Sequence, residues 1–433
     1  MNKENLKHII RLSIPPALSM LIQSLYNLVD SIFVTHYDEL AMEAVSLVYP
    51  IQNIILAIGL GIGIGINAYC STKRGEGKLD ETNNGASLGV ITSIIHYFIV
   101  LIVGLFTARL FVTSFTNNQL VIDYALTYIN LIIIFSFTTI IQIALEKILQ
   151  ADGKMMYPMI SLLTGSIINI ILDPILIFTF DLGILGAAIA TVVGQVAATL
   201  VMIYFIISPK NTIRVSFRHL KFDKNCLKTI YYVGIPSILL TAIPSLMVSS
   251  MNYILITINS LAVTTFGIYY KLQYFVYMAI SGISQGTMPL IAYNIGANDK
   301  KRFKDTVNNS LFLSVVIGFI SMIIFLIIPG PLMSLFYDNP SESINNLLRI
   351  ASLSFVFGGL NYMYASYFQA SQSGAKSLLV ALLRQLILIL PFAYILSIPL
   401  DEFGVYLSIP ISELLTFIVI SFIFYKDYRN HLI

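Results

Sequence analysis

Displaced by 221 positions, the chain overlays itself without a gap: Pro15 meets Pro236, Gln52 meets Gln273, Gly61 meets Gly282, Gly65 meets Gly286, Gly75 meets Gly296 and Gly183 meets Gly404. Ile14/Ile235, Ser24/Ser245, Leu40/Leu261 and Ala41/Ala262 extend the match. Several of these positions are helix-breaking or close-packing residue types, which chance does not align. The chain is two copies of one unit, so any fold proposed for the first copy must also suit the second.

Only 11% of the 433 residues are charged and 57% are apolar, more apolar surface than a soluble core can use. Apolar windows of roughly 20 residues, each long enough to cross a bilayer, begin near residues 12, 44, 86, 120, 158 and 184 and again near 228, 264, 307, 343, 376 and 402. The expected fold is an all-α polytopic membrane protein with twelve transmembrane helices in two six-helix lobes, residues 1–208 and 228–433. An even number of helices per copy sends both copies into the membrane from the same side. The lobes are then related by a pseudo-two-fold axis along the membrane normal.

The stretch 209–227 reads as a cytoplasmic linker: with its flanks it carries Lys210, Arg214, Arg218, Lys221, Lys224 and Lys228. Further basic clusters at Lys3/Lys7/Arg11, Lys73/Arg74/Lys78, Lys147/Lys154, Lys300/Lys301/Arg302/Lys304, Lys376 and Lys426/Arg429 fall on that same side, against Arg109 and Arg349 on the other. The positive-inside rule places both termini in the cytoplasm of a multi-pass plasma-membrane protein. The polar segments 74–84 and 296–309 match in charge density and are expected to form amphipathic elbows at the inner surface. Cys70 and Cys226 lie on the reducing side and are expected to stay unpaired. The net charge of +3 reflects loop bias, and no basic folded surface suggests a nucleic-acid partner. His8, His36, His96, His219 and His431 are scattered, with no HExxH, Cys/His cluster or nucleophile elbow, so an enzyme is not expected.

A carboxylate inside hydrocarbon is costly, so intramembrane acids are functional candidates. Asp30 shares one face of the first helix with Gln23, Tyr26 and Asn27. Asp173 follows Asn169 by one helical turn and precedes Pro174, and Thr191 adds a hydroxyl from the sixth helix. At 1.5 Å per residue, Asp30, Asn169, Asp173 and Thr191 fall ~16–27 Å above the inner face, in one layer of the first lobe. Such a set can hold a shared proton or coordinate Na⁺ through hard oxygens. Gln23, Tyr26 and Asn27 are candidate cavity-lining residues. Arg384 and Glu413 in the second lobe read as a structural pair. The run Gly59, Gly61, Gly63, Gly65 lies within an apolar span and reads as a close-packing surface, not a phosphate loop.

This layout resembles the multidrug and toxic compound extrusion (MATE) family, most specifically in PPALSMLIQSLYNLVDSIFV at 15–34, in residues 168–195, and in LQADGK at 149–154 echoed by FQASQSGAK at 368–376. The resemblance implies a cation or proton site at Asp30, Asn169, Asp173 and Thr191, with Na⁺ a possible metal there. It also implies a first helix that bends at Pro15 and Pro16. Some relatives have a carboxylate in the seventh helix, but IPSILLTAIPSLMVSSMNY at 235–253 has no acid, which directs attention to the first lobe. The implied activity is secondary efflux of amphipathic, often cationic compounds in exchange for H⁺ or Na⁺, by alternating access. It needs no cofactor beyond the coupling ion, and the protein is expected to work as a monomer in the lipid bilayer. The rival reading is a lipid-linked precursor flippase of the same superfamily.

Overall fold

The structure, a computed structural model, describes residues 3–218, 220–258, 260–334 and 341–432; His219 lies outside them. Among the described residues every regular element is helical. The first repeat comprises α1 (Lys3–Tyr37), α2 (Glu39–Gly75), α3 (Leu79–Phe115), α4 (Gln119–Ile134), α5 (Ser136–Ala151), α6 (Met156–Pro174) with a π-helical turn at Ile175–Thr179, and α7 (Gly183–Ile206). The second comprises α8 (Lys224–Ile256), α9 (Ser260–Gly296), α10 (Lys300–Ile327), the short α11 (Pro329–Met333), α12 (Glu342–Ser352), α13 (Phe355–Ala370), α14 (Gly374–Leu382) with a π-helical turn at Leu383–Ile387, and α15 (Ile389–Leu432).

Nine described helices are long and apolar enough to cross a membrane, or ten when α4 and α5, bent by 44° at Phe135, count as one span. The twelve expected spans are reached through two further segments. The stretch Gly374–Leu432 is 59 residues long, which would extend ~90 Å against a ~30 Å hydrocarbon core. It breaks beyond Pro399 at Asp401 (φ 49°, ψ −135°), giving two crossings. The remaining span combines α12 and α13; Asn345, Asn346 and Arg349 dilute the apolar character of α12.

The expected surface elbows fold differently. Each polar segment shortens to a tight turn and then becomes the first turns of α3 or α10. At the first turn Gly77 takes φ 75° and Lys78 N–H reaches back to the Lys73 carbonyl at 3.0 Å. Its repeat-mate Asn298 takes φ 51°, and Asp299 N–H reaches the Asn294 carbonyl at 3.1 Å. Both satisfy terminal helix carbonyls through a left-handed residue, the conformation open to glycine and tolerated by asparagine.

Lobes divided at the linker follow the sequence repeat; compactness follows which backbone segments lie close together. One compact unit is Leu18–Ile238, and the other is Met1–Ala17 with Leu239–Ile433. The two divisions, after Ala17 and after Ile238, are themselves 221 positions apart. Each unit therefore contains the opening segment of the other repeat's first helix. Glycines provide the seats. In the first unit α2 meets the start of α8: a Cβ on Gly65 would lie 2.3 Å from the Ile230 carbonyl oxygen, and one on Gly61 would lie 2.7 Å from that of Gly234. In the second unit the repeat-mates Gly286 and Gly282 receive α1: a Cβ on Gly282 would lie 2.5 Å from Ala17 Cβ, and one on Gly286 would lie 2.7 Å from Ser13 Oγ. The glycine run thus serves helix contact, as its apolar setting implied. Pro15 and Pro16 lie within α1, just before the division at Ala17.

Candidate functional site

The first-repeat site depends on how closely α6 and α7 approach. A Cβ on Gly165 would lie 2.7 Å from the Gly194 carbonyl oxygen, and a Cβ on Gly194 would lie 2.7 Å from that of Gly165. Neither position has room for a side chain. Ser161 Oγ donates to the Ala198 carbonyl at 2.6 Å one turn away, tying the helices on the same seam. With backbones in contact, Asn169 on α6 comes to the level of Thr191 on α7, and the hypothetical Gly194 Cβ would be 3.1 Å from Asn169 Cβ.

Asp173, four residues beyond Asn169, shares its face; Asn169 Nδ2 donates to Asp173 Oδ1 at 3.3 Å. Pro174 then removes a backbone donor, and the helix widens into the π-helical turn Ile175–Thr179. Single-turn π segments of this kind often lie at functional positions. Gly186 lets α7 close on this turn, since a Cβ there would lie 2.7 Å from the Leu176 carbonyl.

The fourth group comes from α1, where the Asp30 carboxyl meets that of Asp173. Asp173 is 0% exposed, Asn169 2% and Thr191 8%. Asp30 Oδ1, Asp173 Oδ2, Asn169 Oδ1 and Thr191 Oγ1 are all buried without a hydrogen bond of good geometry. Buried oxygens of this kind are expensive to leave unsatisfied. Two facing carboxyl groups can form a hydrogen bond only when one carries a proton. A proton shared between Asp30 and Asp173, or a cation with oxygen ligands, satisfies this cluster.

Tyr26 lies within electrostatic reach of both acids. With Asn169, Thr191, Ser166, Gln142 and Gln195, it lines a cavity of about 40 Å³, above the ~10–15 Å³ that a single water needs. Gln23 and Asn27 do not line this cavity; Asn27 is exposed, and its carbonyl accepts from Ser31 Oγ at 2.8 Å. Sequence reasoning missed Gln142, Gln195 and Tyr128. Tyr128 is 3% exposed and reaches Gln52 and Thr191, while Gln195 Oε1 accepts from Thr138 Oγ1 at 3.4 Å. The available signal was polar residues in the first repeat's fourth and sixth spans.

The second repeat carries a different arrangement. Arg384, in the second π-helical turn, donates to Glu413 Oε1 from Nη2 at 2.6 Å and from Nε at 3.0 Å. Asn361 Nδ2 donates to Glu413 Oε2 at 2.7 Å, and Arg384 Nη2 donates to the Tyr277 hydroxyl at 3.2 Å. Arg384 is 8% exposed and Glu413 6%. Ser412, next to Glu413, is the repeat-mate of Thr191. Here an arginine side chain supplies the positive charge that the first-repeat acids lack.

A family profile described as MatE matches residues 15–175 and again 236–395, two matches whose starts are 221 positions apart. Among curated proteins, the chain is 27% identical over 430 residues to a multidrug export protein MepA of Staphylococcus haemolyticus (strain JCSC1435), covering 98% of this chain and 94% of that protein. It is 28% identical over 425 residues to the MepA of Staphylococcus aureus (strain N315), covering 97% and 93%. Among solved structures, one described as MATE in the bent conformation matches with TM-score 0.94 at 24% identity, covering 99% of this chain and 96% of that one. One described as MATE in the straight conformation matches with TM-score 0.92 at 24% identity, covering 99% and 97%.

Proposed function

Because the chain belongs to the MatE family of transporters, which are not enzymes, we propose that it exports amphipathic, often cationic organic compounds in exchange for H⁺ or Na⁺. The observation that carries the coupling is the Asp30–Asp173 pair, in which one buried oxygen of each carboxyl, together with Asn169 Oδ1 and Thr191 Oγ1, has no hydrogen bond of good geometry. One bound cation removes a negative charge from the membrane interior, and its loss restores it. Coupling needs only that ion and substrate differ in their affinity for the inward- and outward-open states. In this reading α1 bends near Pro15 and Pro16 as the charge changes, and Tyr26, Gln23 and Asn27 face the transported compound. Aromatic and methionine-rich spans, with 27 Phe, 25 Tyr and 14 Met, suit flexible recognition of varied shapes. Orientation with both termini in the cytoplasm follows the basic clusters, and one chain carries the complete ion site.

The flippase alternative requires basic groups available for a pyrophosphate. Arg384 is committed to Glu413, and the buried polar cluster of the first repeat is built on two acids with no basic side chain, so the exporter reading is favoured. The test is accumulation of a fluorescent cationic dye in inside-out vesicles under imposed H⁺ or Na⁺ gradients, for wild type, Asp30→Asn and Asp173→Asn. Gradient-driven uptake lost in both variants is expected, and the effective gradient names the ion. Wild-type rates in either variant would remove these acids from coupling.

A further inference from the structure

The linker between the repeats belongs to the compact unit Leu18–Ile238 and is pinned there by hydrogen bonds, while its basic side chains are exposed. From Asn211 to Ser216 the chain alternates. Asn211 and Ile213 are buried, 4% and 1% exposed, and Ile213 joins a core cluster with Val215 against it. Thr212, Arg214 and Ser216 between them are exposed. This two-residue alternation seats one side of an irregular strap and leaves the other side exposed. The alternate backbone N–H groups are each taken by a side chain: Thr212 donates to Asp152 Oδ2 at 2.9 Å, Arg214 to Asn83 Oδ1 at 2.7 Å and Ser216 to Ser87 Oγ at 2.9 Å. Asn84 then clamps Lys221 at both backbone groups, accepting from its N–H and donating to its carbonyl, each at 2.9 Å. Asp152 is in turn paired with Arg74 at 3.3 Å.

A pinned strap presents Arg214, Arg218, Lys221 and Lys224 to solvent, and among the described residues none of these four pairs with a carboxylate. The single acid in the stretch, Asp223, is used locally by Tyr69 and by the N–H groups of Asn225 and Cys226. Glu76 and Glu81 are already paired with Lys73 and Lys78. Set among the cations, Phe217 is 55% exposed and Phe222 80%, each directly following a residue whose backbone N–H is hydrogen-bonded to a side chain. The end of α7, which leads into the strap, exposes Tyr204 at 74%, and Ile207 just beyond it is 73% exposed.

We propose that this strap is a docking surface for the anionic inner leaflet, with phospholipid phosphates held by Arg214, Arg218 and Lys221 and the rings of Phe217 and Phe222 inserted among the headgroups. Charge complementarity selects the occupant: clustered basic side chains at a membrane boundary gather acidic lipid at roughly 1 kcal/mol each, or about fivefold per charge. Exposed aromatic rings beside them favour an interface over a soluble polyanion. The inference rests on the orientation proposed above but not on ion coupling.

The test uses the full-length protein in phosphatidylcholine nanodiscs and measures binding of spin-labelled phosphatidylglycerol against spin-labelled phosphatidylcholine. Wild type should prefer phosphatidylglycerol, and the preference should fall as salt is raised from 0.05 to 0.5 M. Arg214→Gln/Arg218→Gln/Lys221→Gln should reduce it by about tenfold or more while leaving dye efflux from uncharged lipid unchanged. Phe222→Ser should weaken it without changing its salt dependence. An unchanged lipid preference in the triple variant would overturn the proposal, as would a wild-type strap that binds an acidic peptide or RNA but not phosphatidylglycerol. Sidedness is read separately by labelling Ser216→Cys in inside-out vesicles, where Cys70 and Cys226 are buried. Failure there rejects the orientation, whereas failure in nanodiscs rejects the lipid site.

Discussion

Removing Arg384 should leave Glu413 as a buried, uncompensated charge. The guanidinium donates twice to Glu413 Oε1, at 2.6 and 3.0 Å, and its carbon lies 5.3 Å from the Tyr277 ring centroid. At 2.6 Å and an effective dielectric of about 20, the direct attraction is roughly 6 kcal/mol. Desolvation offsets part of this, and breaking such a pair from one side typically costs about 3–5 kcal/mol. At ~2 °C per kcal/mol for a long chain, Arg384→Met should lower the thermal midpoint in detergent by ~6–10 °C, and Glu413→Leu should do similarly. The double variant Arg384→Met/Glu413→Leu should recover most of that loss, because hydrophobic residues of similar volume often replace a buried pair at little cost. The assay is a double-mutant cycle on the midpoint of intrinsic tyrosine fluorescence or light scattering. Additive losses in the double variant would refute the reasoning, because they would mean that the two side chains do not sense one another.

Three further outcomes follow from local geometry. Gly194→Val must displace the Gly165 carbonyl from 2.7 Å, so α6 and α7 should separate and ion-driven dye efflux should fall by at least tenfold while the protein still inserts; Gly194→Ala should cost about 1–3 kcal/mol in the same midpoint assay. Asp152→Ala removes the acceptor of Thr212 N–H and the partner of Arg74. It should expose the strap to trypsin at Arg214 and Arg218 severalfold faster than in wild type, and an unchanged cleavage rate would show that the strap is held otherwise. At the α2–α3 turn, burial raises the Glu76 carboxyl, but Lys78 and Lys73 outweigh it and hold the group below the ordinary carboxylate range. Its contribution is therefore present above the ordinary value of 4.5 and lost as pH falls through the lowered one. The midpoint gap between wild type and Glu76→Gln should accordingly close on acidification from about pH 6 to pH 3.

Much of this architecture was legible because bilayer insertion imposes a coarse code. A run of ~20 apolar residues has few alternatives to a spanning helix, and the repeat doubled each inference. Asp30, Asn169, Asp173 and Thr191 could be placed at one depth from rise per residue alone. Their lateral approach was not legible, because it depends on Gly165 and Gly194 fitting together, and a glycine in an apolar helix does not announce which neighbour it meets. The glutamines at 142 and 195 were hidden for a similar reason: a neutral amide in a span reads equally well as interhelical hydrogen bonding or as cavity lining. The elbows were misread because charge density marks a surface but does not distinguish a surface-lying helix from the solvated first turns of a spanning one. The partition after Ala17 and Ile238 lay further out of reach, since a sequence repeat records descent and a compact unit records contacts.

That partition also orders events on the ribosome. Once α1 has been synthesised, its opening segment has no final seat, because Gly282 and Gly286 lie roughly 270 residues downstream; at 5–20 residues per second they appear ~15–50 s later. The first repeat, for its part, cannot fill the α2 glycine seats until residues 230–238 of α8 have been made. A nascent first repeat is therefore an incomplete object that waits in the membrane with apolar grooves open to lipid or to insertion chaperones. Separately expressed halves, cut within the linker, should mature only when made together.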